Sequence, residues 1–156
     1  MARVSHRLDL VCVPQDRSRV PDPAAFAQAM AQVDGAFATL VEGGAGTVRL
    51  DLPQGRAIYG NIAGGFRVFC PADGGAIAKP FAGAVERWKA GGPFMLSGCP
   101  SCGGDHALDA IDCRPVVAFG RGAVVFSDIG GADLLPAGRA WAEALLGPVH
   151  VVLRRP

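Results

Sequence analysis

The sequence lacks a strong excess of charge of either sign. Its 156 residues include 15 Lys and Arg against 14 Asp and Glu, a formal net charge of +1. Proteins that bind nucleic acids usually carry a marked basic excess or a basic stripe. The closing Arg154-Arg155 pair is too short to form one. Bulk charge therefore argues against DNA, RNA and anionic membranes as main partners.

Long apolar runs are also missing, although 50% of the residues are hydrophobic. No stretch approaches the roughly 18 consecutive apolar residues of a membrane-spanning helix. Arg3, His6, Arg7 and Asp9 interrupt the N-terminal segment, which therefore lacks the continuous apolar run of a signal peptide. We expect a cytoplasmic protein.

Several functional motifs are absent in spite of the 22 glycines. The chain contains neither the phosphate-binding Gly-x-x-x-x-Gly-Lys-Ser/Thr nor a Gly-x-Gly-x-x-Gly that follows a strand. None of the three histidines has a Glu two residues later, so the zinc-deaminase signature is excluded. The glycines are more typical of turns and loops.

What is present predicts an α+β protein. Asp22-Pro23 indicates a helix start, with Asp as the N-cap and Pro at the first helical position; Phe26 and Met30 continue at helical spacing, and Gly35 supplies a stop. Val48, Leu50 and Leu52 alternate with polar residues, as in a half-buried strand. By the same rules, strands are predicted over 7–13, 47–52, 66–70, 123–129 and 149–153, and helices over 23–34, 80–90 and 136–146.

The order of these elements predicts the topology. We expect residues 1–156 to form a single domain, since domains peak at roughly 100–150 residues. Without residues 60–115, the chain reads β-α-β followed by β-α-β. That order matches a ferredoxin-like two-layer sandwich, with the segment 60–115 as an insertion.

The five cysteines, at positions 12, 70, 99, 102 and 113, are an odd number. Without a secretory signal, metal or redox chemistry is a better interpretation than a disulfide framework. The sharpest feature is Cys99-Pro100-Ser101-Cys102-Gly103. Two thiolates two residues apart can bind one metal from a tight turn, and the following Gly permits the left-handed backbone that closes it.

The segment resembles the Cys-Pro-x-Cys-Gly knuckle of zinc ribbons, and the resemblance covers about residues 66–105. A zinc ribbon needs a second knuckle, and Cys70-Pro71-Ala72-Asp73-Gly74 repeats the frame with Asp73 where the second Cys belongs. The resemblance implies a zinc site formed by Cys70, Asp73, Cys99 and Cys102. His106, four residues after Cys102, is an alternative fourth ligand, and Cys113 and Cys12 are others.

The function predicted from the sequence is a small zinc-binding, non-enzymatic module that contacts another protein. One alternative is a thiol redox factor that uses Cys99 and Cys102, although Gly103-Gly104 discourages the helix that usually follows a redox cysteine pair. Another is a nucleic-acid-binding accessory module, which the near-neutral charge disfavours. Trp88 and Trp141 are expected in the core.

Overall fold

The computed structural model describes residues 8–33, 37–62 and 65–155. Within these ranges the chain forms three α-helices, one short 3-10 helix (Leu108–Ala110) and ten strands. The helices are α1 (Pro23–Ala31), α2 (Ala78–Lys89) and α3 (Pro136–Leu146). The strands are β1 (Asp9–Pro14), β2 (Thr47–Asp51), β3 (Ala57–Tyr59), β4 (Arg67–Phe69), β5 (Met95–Leu96), β6 (His106–Ala107), β7 (Asp112–Arg114), β8 (Ala118–Gly120), β9 (Ala123–Ser127) and β10 (Val149–Arg154).

A four-stranded antiparallel sheet forms the centre of the fold, in the order β10-β1-β9-β2. All six residues of β1 are buried, because this strand has a neighbour on each side and packed layers on both faces. In the register, Cys12 lies between Val151 of β10 and Val124 of β9. The predicted strands at both ends of the chain are confirmed.

Helices α1 and α3 pack on one face of this sheet, in a cluster that includes Leu10 and Phe126. The side chain of Asp22 accepts a hydrogen bond from the backbone N–H of Ala24 at 3.0 Å, which confirms the predicted cap of α1. The ring of Trp141 in α3 makes edge contacts with Phe26 and Phe126. Trp141 is therefore a core residue, as predicted. The predicted stop at Gly35 lies outside the described residues.

The opposite face of the sheet is covered by the antiparallel pair β3–β8. Tyr59 and Ala118 of this pair pack against Val11, Val13 and Val125 of the sheet. Successive residues of a strand point to opposite faces, so Ile58 and Phe119 face away from the sheet. They belong to a different apolar cluster, and β3–β8 is thus a wall shared by two cores.

The apolar cluster that contains Ile58 and Phe119 is the core of a segment that we call the cysteine module. The cysteine module is residues 67–114 and contains β4–β7 and α2. Helix α2 begins two residues earlier than the predicted start at Pro80, so that Pro80 lies in the first turn. Proline is tolerated there because the N–H groups of the first turn have no intrahelical partners. Phe81, Val85 and Trp88 are buried along one face of α2, as predicted. The chain is therefore α+β.

None of the helices in the described part of the chain combines the length and the apolar character that a membrane crossing requires.

Candidate metal centre

Two turns of the same construction carry the cysteines, and the first follows β4. The backbone N–H of Cys70 donates to the carbonyl of Gly75 at 2.8 Å, and the N–H of Gly74 donates back to the carbonyl of Cys70 at 2.9 Å. Gly74 has a φ of 77°, in the left-handed region that glycine adopts without a steric cost.

The second turn, at Cys99, repeats this pattern. The N–H of Cys99 donates to the carbonyl of Gly104 at 2.8 Å, and the N–H of Gly103 donates to the carbonyl of Cys99 at 2.7 Å. Gly103 has a φ of 79°. The two Cys-Pro-x-x-Gly-Gly segments therefore fold alike, although only the second has a cysteine at its fourth position.

The hairpin β5–β6 adds a histidine to this arrangement. Leu96 of β5 pairs with His106 of β6, so the second turn is the loop of the hairpin and His106 stands on its returning strand. Asp105 braces the loop, because its Oδ1 accepts a hydrogen bond from the N–H of Gly98 at 2.9 Å. The imidazole is thereby held beside the turn that carries Cys99 and Cys102.

Four ligand atoms converge between the two turns. One atom each from Cys70, Cys99, Cys102 and His106 lie within 4.8 Å of one another. The Nε2 atom of His106 is 3.1 Å from Sγ of Cys102 and 3.7 Å from Sγ of Cys70. Around a tetrahedral zinc ion with bonds of about 2.3 Å to sulfur and about 2.0 Å to nitrogen, ligand atoms lie about 3.5–3.8 Å apart. The four residues form a group that could hold a metal ion.

The four side chains differ in exposure, and the thiols of Cys70 and Cys99 differ in the direction of their pKa shifts. Cys70 and Cys99 are buried within the core of the cysteine module, whereas Cys102 is exposed and His106 is half-buried. Backbone N–H groups, above all that of Cys102, point at the sulfur of Cys99 and lower the pKa of its thiol. Burial raises the pKa of Cys70 to about 11. A cation at the centre would favour the thiolate form of both.

Asp73, the fourth ligand predicted from the sequence, is not among the four converging residues. Its Oδ1 accepts hydrogen bonds from the N–H of Gly75 at 3.0 Å and from the hydroxyl of Ser101 at 2.7 Å. These two bonds, the Ser101 bond first, lower the pKa of Asp73. The carboxylate thus ties the first turn to the second from outside the ligand group, and His106, the stated alternative, lies inside it.

The other two cysteines are also outside the group. Cys12 lies in β1 within the core under α1 and α3, and burial raises the pKa of its thiol to about 12. Cys113 lies in β7, opposite Val68, and burial raises its pKa to about 11. Both behave as small hydrophobic residues.

The chain was compared with protein-family models, with curated proteins and with solved structures, and none of the three comparisons gives a significant match.

Proposed function

We propose that the protein binds one zinc ion through Cys70, Cys99, Cys102 and His106, and that this ion holds the two turns of the cysteine module together. The observation that supports the proposal is the convergence of three sulfurs and one imidazole within 4.8 Å. Three Cys and one His are among the usual ligand sets of structural zinc, and thiolates favour zinc over the harder Mg²⁺ and Ca²⁺.

A non-enzymatic role follows from the number of ligands. Catalytic zinc sites usually keep one position open for water or substrate, whereas structural sites fill all four with protein ligands. Four protein ligands would leave no such position. The proposed module therefore acts by presenting a surface, and we propose another protein as its partner, since a net charge of +1 gives little attraction for nucleic acid.

The cellular location enters as a proposal as well. All five cysteines carry free thiols in the structure, and disulfides persist mainly in oxidising compartments. Free thiols beside a thiolate metal site favour a reducing compartment. We propose the cytoplasm.

We also propose that the sheet with α1 and α3 is a ferredoxin-like sandwich in one domain, with residues 60–115 inserted into it. The support is the strand order β10-β1-β9-β2, antiparallel throughout, together with two helices on one face. In chain order these strands are the fourth, first, third and second of a β-α-β-β-α-β unit. The insertion leaves the sheet after β2 and returns to it at β9.

The deciding experiment is metal analysis of protein purified under reducing conditions. We expect about one zinc per chain, as a four-ligand site predicts, and Cys99→Ser should lose most of it. Cys113→Ser is the matched control, because Cys113 is a buried cysteine of the same module outside the ligand group. Metal-free protein, or equal zinc loss in both variants, would refute the proposal.

The two alternatives have their own signatures. A redox factor would exchange disulfides rapidly through Cys99 and Cys102, and it would do so in the purified protein without losing any metal. Zinc bound to the two thiolates would oppose such exchange. A nucleic-acid module would bind DNA or RNA with an affinity that falls steeply as salt rises.

A further inference from the structure

A cavity of about 570 Å³ lies away from the cysteine turns. Its walls come from the loop after β1, the turn between β8 and β9, and the C-terminal end of α2 with the loop that follows. Small-molecule sites typically enclose about 300–1,000 Å³. None of the four converging metal-site residues lines it. A ligand in this cavity would therefore not contact the proposed zinc ligands.

Three arginines from separate parts of the chain line the cavity: Arg17, Arg56 and Arg121. Arg56 is anchored, because its Nη1 donates to the backbone carbonyls of Trp88 at 2.7 Å and Gly92 at 2.9 Å. Both bonds use one nitrogen of a group with five N–H donors. The other nitrogens of the guanidinium keep donors for a ligand.

Arg17 and Arg121 have fewer polar contacts within the described part of the protein than Arg56. The guanidinium of Arg17 lies over the ring of Phe94, 3.7 Å from its centroid, and forms a solvent-exposed ion pair with Asp109 at 3.5 Å. Exposed pairs of this kind are weak. Arg121 has no hydrogen-bond or ion-pair partner among residues 8–33, 37–62 and 65–155. Within those ranges, no carboxylate holds the charge of Arg121 away from a ligand.

The lining is positive overall. Asp16 is the one carboxylate among the described residues of the wall, and its Oδ1 already accepts from the N–H of Ser18 at 3.0 Å and from the Ser18 hydroxyl at 2.6 Å. The described wall therefore carries three guanidinium groups and one carboxylate, which already accepts two hydrogen bonds. Guanidinium forks match carboxylate and phosphate oxygens.

We propose that this cavity binds a compact, phosphate-bearing anion. A carboxylate offers two oxygens in one plane, whereas a tetrahedral phosphate offers oxygens in several directions. The latter suits arginines that reach one cavity from three separate chain segments. A nucleic-acid strand is the less favoured source of phosphate, since a formal net charge of +1 gives little attraction for a polyanionic backbone.

The test is an NMR titration of the full, purified chain with inorganic phosphate at constant ionic strength, with acetate and a short single-stranded oligonucleotide as comparison ligands. We expect saturable shifts of the side-chain N–H signals of Arg17, Arg56 and Arg121, with a Kd of about 1 mM or below. Acetate and the oligonucleotide should bind more weakly.

Arg121→Gln should weaken phosphate binding roughly tenfold or more, as expected for loss of a charged hydrogen bond. Arg67→Gln is the matched control, because Arg67 is an exposed arginine outside the cavity wall, and it should leave the Kd within about twofold. The absence of saturable shifts, equal weakening in both variants, or tighter binding of acetate or the oligonucleotide would overturn the proposal.

Discussion

At the scale of single residues, Asp73 and His106 both lie in the cysteine module but make different contacts. The Asp73 carboxylate connects the two turns through Gly75 and Ser101, whereas the His106 imidazole approaches two of the sulfurs. Loss of a contact that orients the ligands loosens the site. Loss of a ligand leaves one coordination position of the metal without a protein group.

This difference predicts unequal effects on zinc affinity. Loss of a contact outside the ligand set typically costs roughly 10–100-fold in metal affinity, and we expect Asp73→Ala to fall in this range. His106→Ala should cost more, because it removes a bond to the metal. Asp73→Asn should be milder than Asp73→Ala, since its amide oxygen still accepts from Ser101. Competition titration with a chromogenic chelator measures all three.

Asp73→Cys separates the two assignments of the fourth ligand. If Asp73 coordinated zinc, a thiolate in its place would give the turn at Cys70 the same cysteine pair as the turn at Cys99 and would raise the zinc affinity. With Asp73 acting as the brace observed here, the same substitution removes the bond to Ser101 and lowers the affinity. A rise with Asp73→Cys and a silent His106→Ala would return the fourth position to Asp73.

The sequence carries three of the four converging residues in two matching turns, and the prediction of Cys70, Cys99 and Cys102 rested on that repetition. It favoured Asp73 over His106 as the fourth ligand, because Asp73 has the position of a ligand in its turn. His106 reaches the group only through the pairing of β5 with β6. These strands have two residues each, too few for an alternating pattern to predict them.

At the scale of elements, the close approach of the two turns requires Gly75. A Cβ atom there would overlap the Ser101 hydroxyl, lie 2.9 Å from the Ser101 Cβ and lie 3.2 Å from Asp73 Oδ1. Any side chain at this position therefore pushes the turns apart. The approach of the two turns therefore depends on glycine at this position.

Gly75→Ala should consequently lower zinc affinity and the melting temperature of the zinc-loaded protein. Gly83→Ala is the control: Gly83 lies within α2, where Ala is favoured over Gly by about 0.5–1 kcal/mol, and its nearest neighbour would be the flexible end of Arg87. We expect this variant to keep its zinc and to melt no lower. Equal behaviour of the two variants in metal analysis and thermal melts would contradict the argument.

The core of the cysteine module depends on Phe119. Its ring makes edge contacts with Phe81, Trp88 and Phe94 at centroid distances of 6.4, 5.5 and 5.0 Å. Phe119→Ala should lower the free energy of unfolding by about 3–5 kcal/mol, the usual cost of emptying a buried aromatic site. Val116→Ala, at a side chain that is 72% exposed, should change it by less than about 0.5 kcal/mol. Denaturant titration of zinc-loaded protein compares the two.

Elements of five or more residues were predictable, and among the shorter ones only β4 was, as the predicted strand over 66–70. The strands at 47–51, 123–127 and 149–154 and all three helices have enough residues to show a period. Strands β3, β7 and β8 have three residues each, and their positions follow from pairing with distant parts of the chain. Phe119 as the centre of a core was missed for the same reason.

At the scale of the whole molecule, the buried apolar residues in the described part of the chain form three clusters. One lies between the sheet and α1 with α3, one between the sheet and β3–β8, and one inside the cysteine module. The order of elements predicted a β-α-β, β-α-β chain with a segment set into it. It did not predict that β3–β8 would form the wall between sheet and module, since that wall is made of tertiary contacts.

This division predicts what metal removal does. The buried Cys70 and Cys99 belong to the cluster of the cysteine module, so a chelator should loosen residues 67–114 by leaving two desolvated thiols without a bonding partner. The sheet keeps its own two clusters, and β1 and β9 are buried by neighbours that bind no metal. Hydrogen–deuterium exchange should therefore rise strongly in the module, modestly in β3 and β8, and little in β1, β9 and β10.

The control is Cys70→Ser without chelator, which should reproduce the same pattern if the effect comes from the site and not from the chelator itself. The intermediate change in β3–β8 is the sensitive part of the prediction. Ile58 and Phe119 face the module while Tyr59 and Ala118 face the sheet, so the pair loses support on one side only. Cooperative loss of protection in β1 and β9 together with the module would mean that the clusters unfold as one unit. The metal would then stabilise the entire fold, and the module would not be an insertion with a core of its own.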